Sequence, residues 1–321
     1  MDLSIVFAGT GGSAPTARRG LPAVLIAAGG DRLLVDCGEG TQRQLLSSVG
    51  LPDLDAVFLT HFHADHWLGL PGMLKTFDLR AREKPLAVYG PAGLKEQIGA
   101  VQRVVGRTRY PLDLIELDRF DEVEFDSYVM HAFPIDHRLP GLGFAFTEDE
   151  RPGRFDPAEA ARLGVVPGPD FGRLQQGETV GDVRPEQVVG ADRVGRRIVF
   201  SGDTRPCQEV LEHARDADLL VHEATFTDSE LARARETGHS TARQAAELAR
   251  DAGVRLLALT HLSTRYFPRE IRDEARATFA NTVVPRDFDA IEIPFPERGE
   301  PRLVKFRADE DGGTEAQPTA R

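Results

Sequence analysis

Four side chains that bind metals or transfer protons are crowded into LTHFHADHWLGLPG, residues 59–72. They fall within six positions directly after an apolar run and are His61, His63, Asp65 and His66. In an extended chain, residues two apart such as His61 and His63 point to the same side. Asp65 and His66 follow where we expect the chain to turn into a helix, so they would face a second position nearby. The segment therefore predicts the beginning of two neighbouring metal sites.

Further ligands must come from elsewhere, because one short segment cannot complete two sites. Three other places have a His or Asp just after an apolar strand: FPIDHRLPG with His137, FSGDT with Asp203, and LALTHLS with His261. Five His and two Asp are about what two four- or five-coordinate zinc ions need if they share a bridging carboxylate and hydroxide. The same donors also accept Mn, Fe or Co, so the sequence leaves the identity of the metal open.

Short apolar strands separated by turn residues precede each of these ligands. In the first half we predict strands at 3–9, 23–28, 32–38, 55–61, 86–90, 112–117, 123–132 and 142–147, with helices at 39–48, 67–77 and 92–105. A second series has strands at 198–204, 219–225 and 255–261, with helices at 207–214 and 241–252. Two β-rich halves with helices outside predict sheets stacked face to face under helical layers.

Composition indicates a globular chain without membrane segments. Hydrophobic residues make up 41% and charged residues 28%, and no apolar run approaches the roughly 18 residues of a membrane span. The start MDLSIVFAGTGG lacks the basic beginning of a signal peptide. We therefore expect a soluble, cytoplasmic protein with no membrane partner. Cys37 and Cys207 are too few for a disulfide framework, and the net charge of −12 argues against a surface that coats nucleic acid generally.

We expect a single domain over residues 1–307 with one inserted arm. The arm, residues 149–190, is rich in Gly, Pro, Arg and acids, and a segment of this kind is usually either functional or disordered. Its charge is balanced, because residues 151–185 hold five Arg and five acids. The acidic tail at 308–321 has no apolar periodicity, so we expect it to be disordered.

The pattern HxHxDH after a strand, followed by His, Asp and His at later strand ends, resembles the metallo-β-lactamase superfamily. The resemblance implies an α/β (α+β) fold, an αββα sandwich with a dinuclear metal site along one edge. β-Lactamases, glyoxalases, lactonases, sulfatases and nucleases share this site. The fold and the metals therefore do not choose the substrate.

Other segments resemble the ribonuclease Z family of tRNA 3′-processing endonucleases. Across residues 3–293 they are IVFAGTGGSAPT, LLVDCGEGTQRQL, HEATF, GHST, THLSTRY and FANTVVPRDFDAIEIP. PGPDFGRLQQG in the arm falls where that family carries an exosite with a glycine-proline motif that grips the tRNA body. The resemblance implies a homodimeric endoribonuclease with two Zn²⁺ per subunit. Its partner would be precursor tRNA and not DNA, cut after the discriminator nucleotide by a metal-bridging hydroxide to leave a 3′ hydroxyl on the tRNA and a 5′ phosphate on the trailer.

The family's metal ligands carry over onto seven residues of this chain. Asp203 matches the carboxylate that bridges the two ions. Three residues match the ligands of the first zinc, namely His61, His63 and His137. Three more match those of the second zinc, namely Asp65, His66 and His261.

Two residues match catalytic roles in the family. Asp65 matches the proton acceptor, although a metal-bound carboxylate is a weak base and could mainly orient the attacking water. His239 in GHST matches a histidine that protonates or stabilises the leaving 3′ oxygen, and Glu223 could hold its ring. Alternatively GHST only begins a helix, and in either case we expect Ser240 as the N-cap. The histidines that match no ligand position are expected to be structural: His131, His213 and His222.

Two alternatives to a tRNA nuclease remain open from the residues. A phosphodiesterase or arylsulfatase acting on small anionic esters would use the same ions, with the arm serving oligomer contacts. A metal-bearing RNA-binding protein would have the ligands without cleavage.

Residues 15–20 read PTARRG where many family members have PxKxRN. The resemblance therefore leaves open whether tRNA that already bears CCA is rejected, and whether exonuclease activity accompanies endonuclease activity.

Overall fold

Strands and helices follow one another in two series, separated by the arm. The computed structural model describes residues 1–306, and the tail predicted at 308–321 lies outside the described residues. The first series contains β1 (Leu3–Gly9), β2 (Ala23–Ala28), β3 (Asp31–Val35), α1 (Thr41–Leu46), β4 (Ala56–Phe58), α2 (Ala64–Trp67), α3 (Leu70–Leu79), β5 (Leu86–Gly90), α4 (Leu94–Val105), β6 (Leu112–Glu116), β7 (Glu122–Glu124), β8 (Tyr128–Pro134) and β9 (Leu142–Glu148). The arm contains α5 (Pro157–Arg162) and α6 (Pro169–Gln175). The second series contains β10 (Arg197–Phe200), α7 (Gln208–His213), β11 (Leu219–Glu223), α8 (Leu231–Thr237), α9 (Ala242–Ala252), β12 (Leu256–Thr260), α10 (Pro268–Arg276), β13 (Thr282–Val283), β14 (Ala290–Glu292) and β15 (Arg302–Val304).

The strands form two mixed sheets. The first sheet has the order β15-β14-β1-β2-β3-β4-β5-β6, and the second has the order β13-β12-β11-β10-β9-β8-β7. In both sheets a run of four strands is parallel, from β3 to β6 and from β10 to β13. Parallel neighbours need crossover connections, and helices provide most of them here. Within residues 1–306, no helix is both long and apolar enough to cross a membrane.

Alternating side chains divide the apolar residues into three layers. In β1, Ile5 and Phe7 pack between the two sheets, whereas Val6 and Ala8 pack under α1, α3 and α4. In β11, Leu220 packs under α7, α9 and α10 on the far side of the second sheet. Because successive strand residues point to opposite faces, strands covered on both faces have continuous apolar sequences. The predicted αββα sandwich is confirmed.

Two predicted elements are each divided in the structure. The strand predicted at 123–132 is a hairpin of β7 and β8, because a turn at residues 125–127 reverses the chain and the N–H of Phe125 donates to the carbonyl of Tyr128 (2.9 Å). The helix predicted at 67–77 is two helices, α2 and α3. Between them the N–H of Gly69 donates to the carbonyl of Cys37 (2.9 Å), outside the helical pattern. A Cβ at Gly69 would lie 2.0 Å from the carbonyl oxygen of Gly38, so this close approach requires glycine.

The arm is a folded unit with a small core of its own. Its two ends pair through the backbone, Arg151 with Arg193 and Phe155 with Val189. Below them the buried guanidinium of Arg196 donates twice to the carboxylate of Glu148 (both 2.7 Å), which fastens the base of the arm to β9. The apolar side chains buried inside the arm are Ala160, Val165, Leu174, Val183 and Val188.

Candidate metal centre

All seven predicted ligands lie at one edge of the sandwich, where strands of both sheets end. The first sheet contributes four, because β4 ends three residues before His61 and α2 follows directly. The second sheet contributes three, each within three residues of the end of β8, β10 or β12. At this edge the N–H of Leu142 donates to the carbonyl of Thr60 (2.8 Å) and joins the two sheets. We call these seven residues the candidate metal centre: His61, His63, Asp65, His66, His137, Asp203 and His261.

Three imidazole nitrogens converge in a first group of ligands. Nε2 of His61 lies 2.9 Å from Nδ1 of His63, which in turn lies 3.1 Å from Nε2 of His137. Oδ2 of Asp203 lies 3.8 Å from Nε2 of His61. One ligand atom from each of these four residues therefore lies within 4.8 Å of the others, close enough to surround one ion.

A second group adjoins the first. Oδ2 of Asp65 lies 3.3 Å from Nε2 of His261 and 3.7 Å from Nε2 of His66. Oδ2 of Asp203 lies 3.2 Å from each of those two nitrogens. Because the same oxygen also approaches His61, Asp203 lies between the two groups, where a bridging ligand would be.

Asp36, which is not among the residues predicted from the sequence, orients two of the rings. Nδ1–H of His66 donates to Oδ2 of Asp36 (2.7 Å). The hydroxyl of Thr60 donates to the same carboxylate (2.9 Å) and therefore accepts from Nδ1–H of His61 (3.0 Å). With both Nδ1 atoms donating, each Nε2 presents a lone pair to the metal centre. The signal was present in LLVDCG, because Asp36 also directly follows an apolar strand.

A similar arrangement orients two rings on the other sheet. The hydroxyl of Thr225 donates to Oε2 of Glu223 (2.6 Å) and accepts from Nδ1–H of His261 (2.8 Å). Nδ1–H of His137 donates to the carbonyl of Gly238 (2.6 Å). Four of the five histidines are thus fixed through Nδ1 and offer Nε2, as metal-binding histidines commonly do.

The donors fit divalent cations. Neutral nitrogens about 3 Å apart direct lone pairs at one another, and a cation between them removes this repulsion. Nε2 of His66 is buried without a hydrogen-bond partner among residues 1–306, although Oδ2 of Asp203 is near. The buried carboxylates of Asp36 and Asp203 also favour positive charge at this edge, because burying an unpaired anion is costly.

The pKa values of the histidines agree with a role as ligands. Burial lowers the pKa of His61, His63 and His137, so these rings are neutral and have lone pairs to offer. Burial also opposes a charge on His66, but Asp203 and Asp36 raise its pKa well above the ordinary value. The carboxylates around His66 thus attract positive charge, either a proton or a metal ion.

His239 lies beside the candidate metal centre. Its Nδ1–H donates to Oε1 of Glu223 (2.9 Å), and its ring stacks on His261 with centroids 5.3 Å apart. Burial favours the neutral ring, but the charge and hydrogen bond of Glu223 raise the pKa of His239 to about 9. Helix α9 follows, and its N-cap is Thr241, whose hydroxyl accepts from the N–H of Gln244 (3.2 Å). The prediction of Ser240 as N-cap was wrong, because its hydroxyl donates instead to a carbonyl of the loop after β10.

The loop after β1 closes one side of the centre. The N–H of Ser13 donates to Oδ2 of Asp65 (2.7 Å), which fixes that carboxylate without protonating it. Gly12 packs so closely that a Cβ there would lie 2.5 Å from the ring of His261. His261 has a φ of 55°, an uncommon conformation for a residue with a side chain. The approach of Gly12 and the conformation of His261 could not be seen in the sequence.

The other three histidines have partners outside the candidate metal centre. Nδ1 of His131 lies 3.0 Å from a carboxylate oxygen of Glu122 at the surface. Nδ1–H of His213 donates to the carbonyl of Glu209 (2.8 Å), and its ring stacks on Phe133. Nδ1–H of His222 donates to the carbonyl of Glu223 (2.7 Å).

Comparison with known proteins identifies the family. The metallo-β-lactamase superfamily model matches residues 19–261. Ribonuclease Z of Methanosarcina mazei is 46% identical over 302 residues, which cover 91% of this chain and 99% of the relative. The chain belongs to the ribonuclease Z family.

Two further comparisons agree with this family. Ribonuclease Z of Myxococcus xanthus is 47% identical over 301 residues, which cover 91% of this chain and 98% of the relative. The crystal structure of human tRNase Z, short form, has a TM-score of 0.67 and 28% identity and covers 91% of this chain and 99% of that one. The resemblance drawn from HxHxDH, GHST and the neighbouring segments is confirmed.

Proposed function

We propose that this protein is a metal-dependent endoribonuclease that removes 3′ trailers from precursor tRNA. It cuts after the discriminator nucleotide and leaves a 3′ hydroxyl on the tRNA and a 5′ phosphate on the trailer. The observation that carries the proposal is the convergence of five His and two Asp in a chain that is 46% identical to a ribonuclease Z. The name of the human structural relative, tRNase Z, supports tRNA as the substrate.

We assign two Zn²⁺ ions to each subunit, with Mn²⁺ or another divalent ion as an alternative. When bound, the two cations lower the pKa of water toward neutrality and offset negative charge on the phosphate oxygens. Asp203 would bridge the two ions. The first ion would be held by His61, His63 and His137. The second would be held by Asp65, His66 and His261.

Asp65 and His239 would move the protons. Asp65, held by the N–H of Ser13, orients the attacking water and accepts its proton as the oxygen bonds to phosphorus. The bond from phosphorus to the 3′ oxygen breaks, and His239 gives that oxygen a proton. Because Nδ1 of His239 is bound to Glu223, Nε2 is the nitrogen that would deliver it. The added oxygen stays on the trailer as part of its 5′ phosphate.

The arm is assigned to the tRNA body. Its charge is balanced, and Arg173, an exposed candidate for RNA contact, is paired with Glu178 (2.9 Å) and Asp170 (3.2 Å). Recognition would therefore rest on shape, backbone groups and individual contacts, as is usual for structured RNA.

We further propose one catalytic domain over residues 1–307 with the arm inserted, and a cytoplasmic homodimer in which each arm serves the partner's site.

End-mapping of products tests the function. Purified, zinc-loaded protein would be incubated with precursor tRNAs that carry 3′ trailers, with and without encoded CCA. We expect a single cut after the discriminator nucleotide, with the end groups given above. Uncut precursor, with Asp65→Ala behaving identically, would refute the proposal. The CCA-encoding substrate also shows whether the loop at 15–20 allows cleavage.

A further inference from the structure

Two adjoining clefts form one trough that begins beside the candidate metal centre. The first, about 1160 Å³, is lined by Gly11 and Leu262, the neighbours of Gly12 and His261. The second, about 480 Å³, lies between α10 and the ends of β13 and β15. Pro268 and Arg286 line both clefts, so the trough is continuous.

The trough is basic although the protein as a whole is acidic. Eight Lys or Arg side chains line it against three carboxylates, while the chain carries a net charge of −12. Two of those carboxylates are already engaged. Asp287 accepts from the N–H of Thr10 (3.1 Å) and the side chain of Gln44 (2.7 Å), and Asp289 accepts from the N–H of Arg286 (2.9 Å). The local potential therefore favours an anionic partner.

Helix α10 contributes three of these cations on one face. Arg269, Arg272 and Arg276 lie three and four residues apart, and all line the second cleft. Two acids of the helix are engaged elsewhere, because Glu270 accepts from the N–H of Phe267 (2.6 Å) and Glu274 from that of Asp228 (3.0 Å). Within residues 1–306, seven of the eight cations have no carboxylate within ion-pair distance, among them Arg269, Arg286 and Lys305. The exception is Arg272, which pairs with Asp273 of the same helix.

Aromatic rings also line the trough. Phe267 lines the second cleft with 65% of its surface exposed, and the guanidinium of Arg269 lies 5.2 Å from its ring. Phe288 lines the first cleft and packs against Phe306, which is 40% exposed. Cations for phosphates, together with exposed rings for bases, are the features that bind single-stranded nucleic acid without sequence preference.

We propose that the trough binds the single-stranded 3′ trailer of the precursor. The proposal rests on the function above, in which the scissile phosphate lies at the metal centre. The RNA on the 3′ side of that phosphate must then leave the centre across the protein surface. The trough begins at that point, carries the complementary charge and offers rings on which unpaired bases can stack. Binding of this kind would accept trailers of differing sequence.

A matched pair of full-length variants tests this role. The trough variant is Arg269→Gln/Arg286→Gln/Lys305→Gln. The control variant removes the same charge from exposed sites outside the trough, as Arg119→Gln/Arg215→Gln/Arg250→Gln. Both would be assayed on one tRNA body with a trailer of about 2 or about 12 nucleotides, the longer being comparable with the site sizes of single-strand binders.

We expect the trough variant to raise KM for the long trailer about tenfold or more, with kcat unchanged. The binding constant should also depend less steeply on salt: the slope of its logarithm against the logarithm of the salt concentration should decrease by about 2 for three lost phosphate contacts. The short-trailer substrate and the control variant should behave as wild type. An equal loss on both substrates would overturn the proposal in favour of contact with the tRNA body, and no loss on either would overturn it outright.

Binding of a non-cleavable 12-nucleotide RNA strand, followed by fluorescence anisotropy, separates this proposal from the function. If the wild type cuts neither substrate but the trough variant alone loses the strand, the function fails and the trough stands. If the trough variant binds the strand as the wild type does, the trough proposal fails. Faster cleavage of the short substrate by the same variant would mean that another occupant had been released from the trough. The occupant would then be the acidic tail at 308–321, which begins two residues after Phe306 in the chain.

Discussion

In the candidate metal centre, each ligand lies just after a strand or in or beside the short helix α2, and four rings are fixed again through Nδ1. The arm instead is stabilised by a small apolar core. The ion pair between Arg196 and Glu148 fastens it to the rest of the protein at its base. Groups that must meet reacting atoms need fixed positions, whereas a binding arm needs only a surface of the right shape. Changes in the centre should therefore reduce kcat, and changes in the arm should raise KM.

The largest effect is expected at Asp65. Asp65→Ala would remove a proposed ligand and the proposed proton acceptor together, so kcat on precursor tRNA should fall by about 10⁴-fold. Metal content, measured by mass spectrometry of the native protein, should also fall. The exposed Asp126→Ala is the control and should match wild type. Retained kcat in Asp65→Ala would mean that chemistry takes place elsewhere.

Removal of the arm should have the next largest effect. Arg154 and Gly190 are joined by a backbone hydrogen bond (2.9 Å), so replacing residues 155–189 with two glycines leaves the stem at Arg151 and Arg193 in place. We expect kcat/KM for precursor tRNA to fall by about 10²- to 10³-fold, because binding energy from the tRNA body is lost. Hydrolysis of a small activated phosphodiester should stay within about twofold. Loss of neither activity would favour a small-ester hydrolase in which the arm serves oligomer contacts.

His239→Gln should reduce kcat by about 10²-fold with little change in KM, because only the proposed proton delivery to the leaving oxygen would be lost. The defect should be small for an activated ester, whose leaving group needs no proton. His131→Gln is the matched control, because His131 lies at the surface with Glu122. An equal defect on both substrates would instead indicate a role in holding the metals.

Asp36→Asn should weaken metal binding by about 10- to 100-fold, because His66 and Thr60 lose the carboxylate that orients them. Activity at limiting zinc should fall and then recover as zinc is added. A competition titration with a chelating dye measures the affinity. Unchanged affinity would show that Asp36 only stabilises the local backbone.

The smallest effect is expected at Arg173. Its guanidinium is already paired with two exposed acids, and such pairs contribute little to stability. Arg173→Ala should raise KM for precursor tRNA less than about threefold and leave the melting temperature within about 1 °C. A larger rise in KM, with kcat unchanged, would identify Arg173 as a specific RNA contact despite its pairing.

The sequence predicted the residues of the candidate metal centre better than the residues that orient them. His61, His137, Asp203 and His261 each follow an apolar strand, and strand ends at one edge can be inferred from local pattern alone. Asp36 has the same local signal, but its partner His66 lies 30 positions along the chain, and only the packed structure brings the two together. Support of this kind depends on tertiary contacts that no local pattern encodes.

Elements with few apolar residues were the hardest to predict. Helix α10 buries only Ile271 and Ala275 in PREIRDEAR, so its periodicity is weak, and we predicted no helix there. The arm buries a few apolar residues far apart in sequence, so no local pattern shows whether it is folded. Within residues 123–132, the turn between β7 and β8 is so short that the sequence on both sides of it resembles one continuous strand.

The origin of the ligands in both sheets has a consequence for thermodynamic stability. The hydrogen bond from Leu142 to Thr60 joins the sheets at this edge, and ions held by ligands from both would join them again. An ion that binds only the native state adds about 4 kcal/mol to the free energy of unfolding when its concentration is about a thousand times its Kd. The ions proposed for catalysis would thus also hold the two sheets together at this edge. Their removal by a chelator should therefore weaken the contact between the sheets here before it disturbs the apolar layers.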